Sequence, residues 1–402
     1  MESVRRKVAV VGGGPAGLRA AEVAALSGAE VVLYDAMRST GRKFLVAGKS
    51  GLNLSNATPF PEFMEVYAGS AQVPLPAFFY EALSAFDNVA LREWAGGLGI
   101  ETYAASSNKV FPVGMKAAPL LRRWVERLRQ LGVTIRVRHR LLDFRVDEQV
   151  LVFEHDGESC EYPCDAAVLA LGGGSWPSTG SDGTWQALMK AKGISVTPLS
   201  SANSGWECAW PRVVLEAAEG LPLKNLVVHA GAASQHGELV ITRYGLEGGP
   251  VYRLGPAIRA QDSPHVLIDF KPTFTEQALA RKMESVKRDF LAAAKERWKL
   301  SDAAIAVIRG LYGEVDDALS LAACVKRCKV PLTQPRPMDE AISSAGGVRW
   351  SELAADFSVK QVPWMHLAGE MLDWEAPTGG YLLQAAFATG TVAGNAAAVL
   401  GE

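Results

Sequence analysis

Lys7-Val8-Ala9-Val10-Val11-Gly12-Gly13-Gly14-Pro15-Ala16-Gly17, answered by Glu30-Val31-Val32-Leu33-Tyr34-Asp35, is the stretch from which the rest of the chain is read. Lys7–Val11 is a short apolar run of the kind buried in a parallel sheet. A glycine turn follows, then an Ala/Leu-rich helix from Pro15 to Ser27 closed by Gly28. Glu30–Tyr34 is a second strand with Asp35 at its carboxyl end. A Gly-x-Gly-x-x-Gly spacing alone is a weak signal. Here it follows a strand, opens a helix and is answered by an acid ending the next strand, which is the full context of a dinucleotide-binding unit. Gly12 permits the tight turn, Gly14 admits the pyrophosphate to the backbone, and Gly17 lets helix and strand pack closely. With Pro15 and Ala16 they form a helix N-terminus that favours phosphate charge. Asp35 is placed to accept from the adenosine ribose hydroxyls, and its charge disfavours a 2′-phosphate.

The bounds set by composition agree with a large globular protein. The chain has 402 residues, 21% of them charged, and a formal net charge of −2. That length suggests more than one domain, and that charge gives no reason to expect nucleic acid as a partner. No pair among Cys160, Cys164, Cys208, Cys324 and Cys328 has C-x-x-C spacing, and the six histidines are scattered. No metal site is expected. The apolar run after Arg5-Arg6-Lys7 stops at Gly12, too soon for a signal peptide. The uncharged stretch Ala376–Leu400 is broken by Pro377 and several glycines, so it reads as a buried helix and not a membrane span. A cytoplasmic protein without membrane attachment is expected.

Further along, helical patterns fall near 76–98 and 115–131, and strands at 133–138, 150–153 and 166–171. From about residue 190 the character changes to short β-like runs, then to charged helices over 275–329. The Pro-rich link 331–337 reads as a boundary, after which Gly/Ala-rich α/β character returns. The expected fold class is α/β: a discontinuous Rossmann-like FAD-binding domain, 1–190 plus 336–402, interrupted by a β-rich plus helical domain, 191–335, that serves the substrate as a cap. The glycine motif does not by itself separate FAD from NAD. Two distant segments do: Asp165–Gly174, a strand ending in a glycine cluster, and Met365–Glu370, a strand ending in Gly369-Glu370. They resemble the second and third signatures of the two-dinucleotide-binding-domain flavoproteins of the glutathione-reductase type.

The match extends to Gly41-Arg42-Lys43-Phe44-Leu45, Gly51-Leu52-Asn53-Leu54-Ser55-Asn56, Ala345-Gly346-Gly347-Val348, Gly369-Glu370-Met371-Leu372-Asp373 and Pro377-Thr378-Gly379-Gly380-Tyr381. In this order they resemble the BaiN-like family of bacterial NAD(P)/FAD-dependent oxidoreductases over nearly the whole chain. The resemblance implies non-covalent FAD and an inserted domain covering the flavin. Many members carry Arg-Cys-Asn where this chain has Gly51-Leu52-Asn53, so no role of that cysteine transfers. Candidate cofactor contacts are then Arg42 and Lys43 at the pyrophosphate, Asn53, Gly172 and Gly173 at the cofactor or its entry, and Gly369 with Glu370 at the ribityl or ribose hydroxyls. Thr378, Gly379, Gly380 and Tyr381 open a helix whose dipole would favour an anionic reduced ring.

These readings make the protein an FAD-dependent oxidoreductase that passes a hydride through FAD to a small organic substrate. There is no second G-x-G-x-x-G motif, so the expected electron donor is either NAD(P)H bound transiently at the flavin face or another reductant. Two other functions are weighed. In an FAD monooxygenase of the aromatic-hydroxylase type Ser and Arg follow the Asp-Gly motif, whereas Asp182-Gly183 leads into Thr184-Trp185-Gln186. An RNA-binding or RNA-modifying flavoprotein is motivated by Arg136–Arg140 and by Arg281, Lys282, Lys287 and Arg288. Interleaved Glu284, Asp289 and Glu296 favour a solvated face there. No catalytic residue is singled out, with Tyr244, His366 and Tyr381 as candidate acids only. No oligomeric state is predicted.

Overall fold

The computed structural model describes residues 5–70 and 73–399. The chain divides into two compact units, Met1–Ser200 with Ser344–Glu402, and Ser201–Ser343.

The first unit is built on a six-stranded sheet. Its strands are β1 (Lys7–Val11), β2 (Glu30–Asp35), β3 (Thr134–Val137), β4 (Ala166–Leu169), β5 (Ser358–Val359) and β6 (Val362–Leu367), in the spatial order β5-β6-β4-β1-β2-β3. All neighbours are parallel except the β5–β6 pair. Val8, Val10, Val11 and all of β4 are buried, which is why those runs are continuously apolar and do not alternate. Helix α1 (Pro15–Leu26) follows β1, α2 (Arg42–Ala47) follows β2, and α3 (Tyr381–Ala398) follows β6 and its glycine-rich loop. The chain winds outward from β1 to β2 and β3, then returns to β4 on the other side of β1. The carboxyl ends of β1 and β4 are therefore a topological switch point, where open α/β sheets bind ligands.

Helices α1 and α3 lie close together, because a Cβ at Gly390 or Gly394 would collide with the backbone of Ala16 or Ala20. The inner face of α1 also carries a charge. Glu22 is fully buried and accepts from Trp94 Nε1 at 2.9 Å and Trp124 Nε1 at 3.1 Å, with Arg19 and Arg127 each at 3.0 Å. Two small antiparallel sheets complete the unit: residues 55–56, 102–104 and 109–112 in one, and 139–145, 150–155 and 158–163 in the other.

The second unit has a six-stranded antiparallel sheet in the order Trp206–Glu207, Gly245–Glu247, Ala233–Thr242, Pro222–Ala230, His265–Asp269, Cys328–Pro331. Helices Glu276–Arg281, Phe290–Arg297, Asp302–Tyr312 and Ala318–Lys326 accompany it. Val228, Ile241, Ile268, Ile308 and Val325 are fully buried in a core of its own. The Pro-rich segment runs beside residues 205–207 in this unit: Thr333 N donates to Glu207 O at 2.9 Å, and Glu207 N to Gln334 O at 2.8 Å. The strands that lead out of the first unit and back, Val196–Ala202 and Ser343–Val348, pair with each other. Among the described residues no helix is long and apolar enough to cross a membrane.

Candidate functional site

At the end of β1 the backbone turns sharply. Gly12 has φ +107°, and a Cβ there would overlap the Ala170 carbonyl oxygen after β4, so only glycine lets the two strand ends meet. The N-terminus of α1 has Gly14 as its cap residue and no side-chain acceptor, which leaves its first N–H groups pointing outward. A Cβ at Gly14 would meet no atom within 4 Å, so the approach to these donors is open. The sequence reads Asp35 as an acceptor for the ribose hydroxyls. Its Oδ2 accepts from Gly13 N at 2.9 Å and its Oδ1 from Met37 N at 2.7 Å, so the carboxylate also shapes the glycine turn. Burial raises its pKa, against the lowering effect of these two donors and the Arg42 charge. Each oxygen keeps further acceptor capacity for a ligand hydroxyl.

A second cluster forms where the loops after β4 and β6 meet the start of α2. Lys43 Nζ lies 2.7 Å from Glu370 Oε2 and 2.8 Å from Ser175 Oγ. Glu370 Oε1 accepts from Ser344 N at 2.8 Å and Ser344 Oγ at 3.2 Å, and Gly174 N donates to Ser344 Oγ at 3.1 Å. A Cβ at Gly173 would intrude on Ser344 and Glu370. Gly172, Gly173, Lys43, Gly369 and Glu370 are thus brought together, but Lys43 contacts Glu370, where pyrophosphate was its expected partner. Arg42 is exposed. Ser175 ends the glycine cluster that the sequence already marks at the cofactor or its entry, whereas Ser344 went unnoticed because a single serine carries no pattern.

The third part is the start of α3. Gly380 is its cap residue, left-handed and without a side-chain cap. Asn56 Nδ2 donates to Gly379 O at 3.1 Å, Ser55 Oγ to Gln384 Oε1 at 2.7 Å, and Tyr67 OH to Tyr381 O at 2.8 Å. The motif 51–56 therefore braces the loop that carries Thr378, Gly379 and Gly380. Tyr381 is buried, its ring 4.8 Å from that of Phe63. In the same motif Asn53 Oδ1 is buried with no hydrogen-bond partner among the protein atoms.

Two of the candidate acids, His366 and Tyr244, are engaged elsewhere. His366 lies inside β6, buried, with Nδ1 3.2 Å from Asp356 O, and burial lowers its pKa. Tyr244, in the second unit, donates to Glu247 under the Arg336 guanidinium, and burial with the Glu247 charge pushes its pKa up. Burial also pushes the thiols of Cys164, Cys208 and Cys328 up to about 12, so they are poor nucleophiles at neutral pH. Among the described residues no cluster of three or more His, Cys, Asp or Glu side chains is arranged to hold a metal. Of the basic run 136–140, Arg136 stacks 4.8 Å from the Tyr162 ring, Arg138 faces Asp156 at 3.8 Å and Arg140 binds Asp182 at 2.9 Å.

The family model described as the HI0933-like protein Rossmann domain matches residues 6–396. A 3-dehydro-bile acid delta(4,6)-reductase of Clostridium scindens is 28% identical, over 98% of this chain and 99% of that protein. A ribosomal RNA dihydrouridine synthase of Escherichia coli is 22% identical, over 94% and 95%. Among solved structures, a 3-ketosteroid-delta4-(5alpha)-dehydrogenase of Rhodococcus jostii aligns with a TM-score of 0.52 at 15% identity, covering 100% of this chain and 98% of that one. The apo form of the Mycobacterium smegmatis Sdh1 complex aligns with a TM-score of 0.51 at 16% identity, covering 98% and 68%. These last two likenesses concern the fold.

Proposed function

Since the chain belongs to the HI0933-like Rossmann-domain family, we propose that it is an FAD-dependent oxidoreductase that reduces a small organic substrate, with NAD(P)H as a transient electron donor. The observation that carries this reading is the convergence, at one switch point, of the open α1 N-terminus, the glycine loop after β4 and the Gly369-Glu370 turn. The residues fit an extended dinucleotide. Gly14, Pro15, Ala16 and Gly17 would hold the pyrophosphate, and Asp35 the adenosine ribose. Gly172, Gly173, Gly369 and Glu370 would line the ribityl side. Thr378–Tyr381, braced by residues 51–56, would face the ring with a helix N-terminus, and the orphaned Asn53 Oδ1 offers an acceptor. FAD, when bound, supplies the hydride-carrying chemistry that no side chain provides. The protein's part is to bind, orient and polarise. Ser201–Ser343, with its own core, is the unit we assign to substrate recognition. A relative named for a bile acid supports a small-molecule substrate. Five unpaired cysteines support a reducing compartment, and we place the protein in the cytoplasm.

The test is an anaerobic visible spectrum of the protein loaded with FAD, before and after NADH or NADPH. Bleaching of the flavin bands is expected. A spectrum that stays oxidised removes nicotinamide from the mechanism, and failure to bind FAD removes the proposal. A second reading, reduction of a base within RNA, is supported by the relative named as a ribosomal RNA dihydrouridine synthase and by one surface. Arg281, Lys282, Arg297 and Lys299 are exposed, and Arg297 Nη1 donates to the Lys282 carbonyl at 2.9 Å. Salt-sensitive retention of RNA would favour this reading, and no retention at low salt would exclude it.

A further inference from the structure

We propose that Lys43 is a positioning residue for the cofactor and not one of its phosphate ligands: its ammonium neutralises Glu370 and fixes that carboxylate beside the switch point. This rests on the FAD reading above and adds a role for a pair of residues 327 positions apart. Lys43 opens the second helix, Ser175 follows the glycine loop after β4, and Glu370 lies in the turn after β6. One ammonium therefore ties three distant segments of the first unit together, at 2.8 Å and 2.7 Å. Glu370 is held on its other oxygen by Ser344, so its direction is set from both sides.

The Lys43 and Glu370 side chains keep only 27% and 18% of their surface exposed, so water screens the pair less than it would at the surface. FAD brings a doubly charged pyrophosphate, and its reduced ring can carry a further negative charge. An unpaired Glu370 carboxylate would repel both. With Lys43 in place the pair is neutral, and Glu370 can still accept from ligand hydroxyls. A lysine acting as a phosphate ligand would keep its ammonium for the phosphate. Here two of its three donors are already used within the protein, and exposed Arg42 is the neighbouring cation left for phosphate.

The experiment is a double-mutant cycle on the full chain stripped of flavin, with FAD titrated against quenching of its fluorescence. Lys43→Met is expected to weaken FAD binding at least tenfold. Glu370→Gln should weaken it less. The double variant should lie within threefold of Glu370→Gln, because no carboxylate remains to be neutralised. Lys43→Arg should stay within threefold of the unsubstituted protein. The midpoint potential of bound flavin should be lower in Lys43→Met than in the double variant. If Lys43→Met does not fold, Lys43→Gln replaces it in both arms. Equal losses from the lysine substitution in the unsubstituted and Glu370→Gln backgrounds would show a direct phosphate contact and overturn the proposal. Failure of the unsubstituted protein to bind FAD would instead overturn the reading on which it rests.

Discussion

A methyl group added at residue 12 and one added at residue 14 are expected to act on different quantities. Gly12→Ala places a side chain at φ +107° against the Ala170 carbonyl, which strains the turn and pushes β1 from β4. Unfolding of the flavin-free protein in urea should show a loss of about 2–4 kcal/mol. At Gly14 the same group meets nothing and φ is −80°. Gly14→Ala should leave stability within about 0.5 kcal/mol, while FAD titration should show at least tenfold weaker binding because the methyl stands where the phosphate approaches. The glycines were legible in the sequence because backbone geometry demands them at that spacing. The same local reading placed Asp35 but could not show its two backbone donors. It assigned Lys43 to the pyrophosphate and could not show Glu370 beside it, because that carboxylate lies far away in the chain, where no periodicity links them.

Elements were legible where one face is apolar and obscure where polar groups are buried. Helix α1 is plain from its alanines, yet nothing in the sequence marks Glu22 as its most deeply placed charge. Removing that carboxylate leaves two indole N–H groups without their acceptor and takes the counter-charge from the Arg19 guanidinium, already disfavoured by burial. Glu22→Ala should cost about 3–5 kcal/mol in urea unfolding monitored by tryptophan fluorescence. Strands 139–145 and 158–163 escaped notice because neither reads as a clean apolar alternation, with Leu142 exposed in one and Pro163 closing the other, and pairing with 150–155 is what defines them. In β6, burial lowers the His366 pKa, so the folded state favours the neutral ring. The unfolded chain then binds more protons below about pH 6.5, and stability must fall as pH drops through that value. His366→Gln should remove part of this slope in urea midpoints measured from pH 8 to pH 5.

For the whole molecule, two cores imply two cooperative transitions. Calorimetry of the full chain should resolve them, and FAD should raise the one belonging to the Rossmann-like unit. The stabilisation is about 2.7 kcal/mol at a free concentration one hundred times Kd. A single transition that shifts as one would contradict this. Residues 201–343 expressed alone should fold, as judged by a cooperative thermal melt. The change of character near residue 190 was visible as a shift from long helical patterns to short β-like runs. The prolines at 331–337 read as a linker, while their backbone runs beside residues 205–207.

The ends of that excised segment are already neighbours: Asn203 Nδ2 donates to Ser343 Oγ at 2.8 Å. A gene that inserts, deletes or exchanges the intervening codons leaves the entry and exit of the chain side by side, as in a cassette with a fixed plug. The segment can therefore be exchanged for another without moving the two points at which the chain enters and leaves it. Chimaeras made at these two serine-rich seams would show whether substrate range travels with the segment.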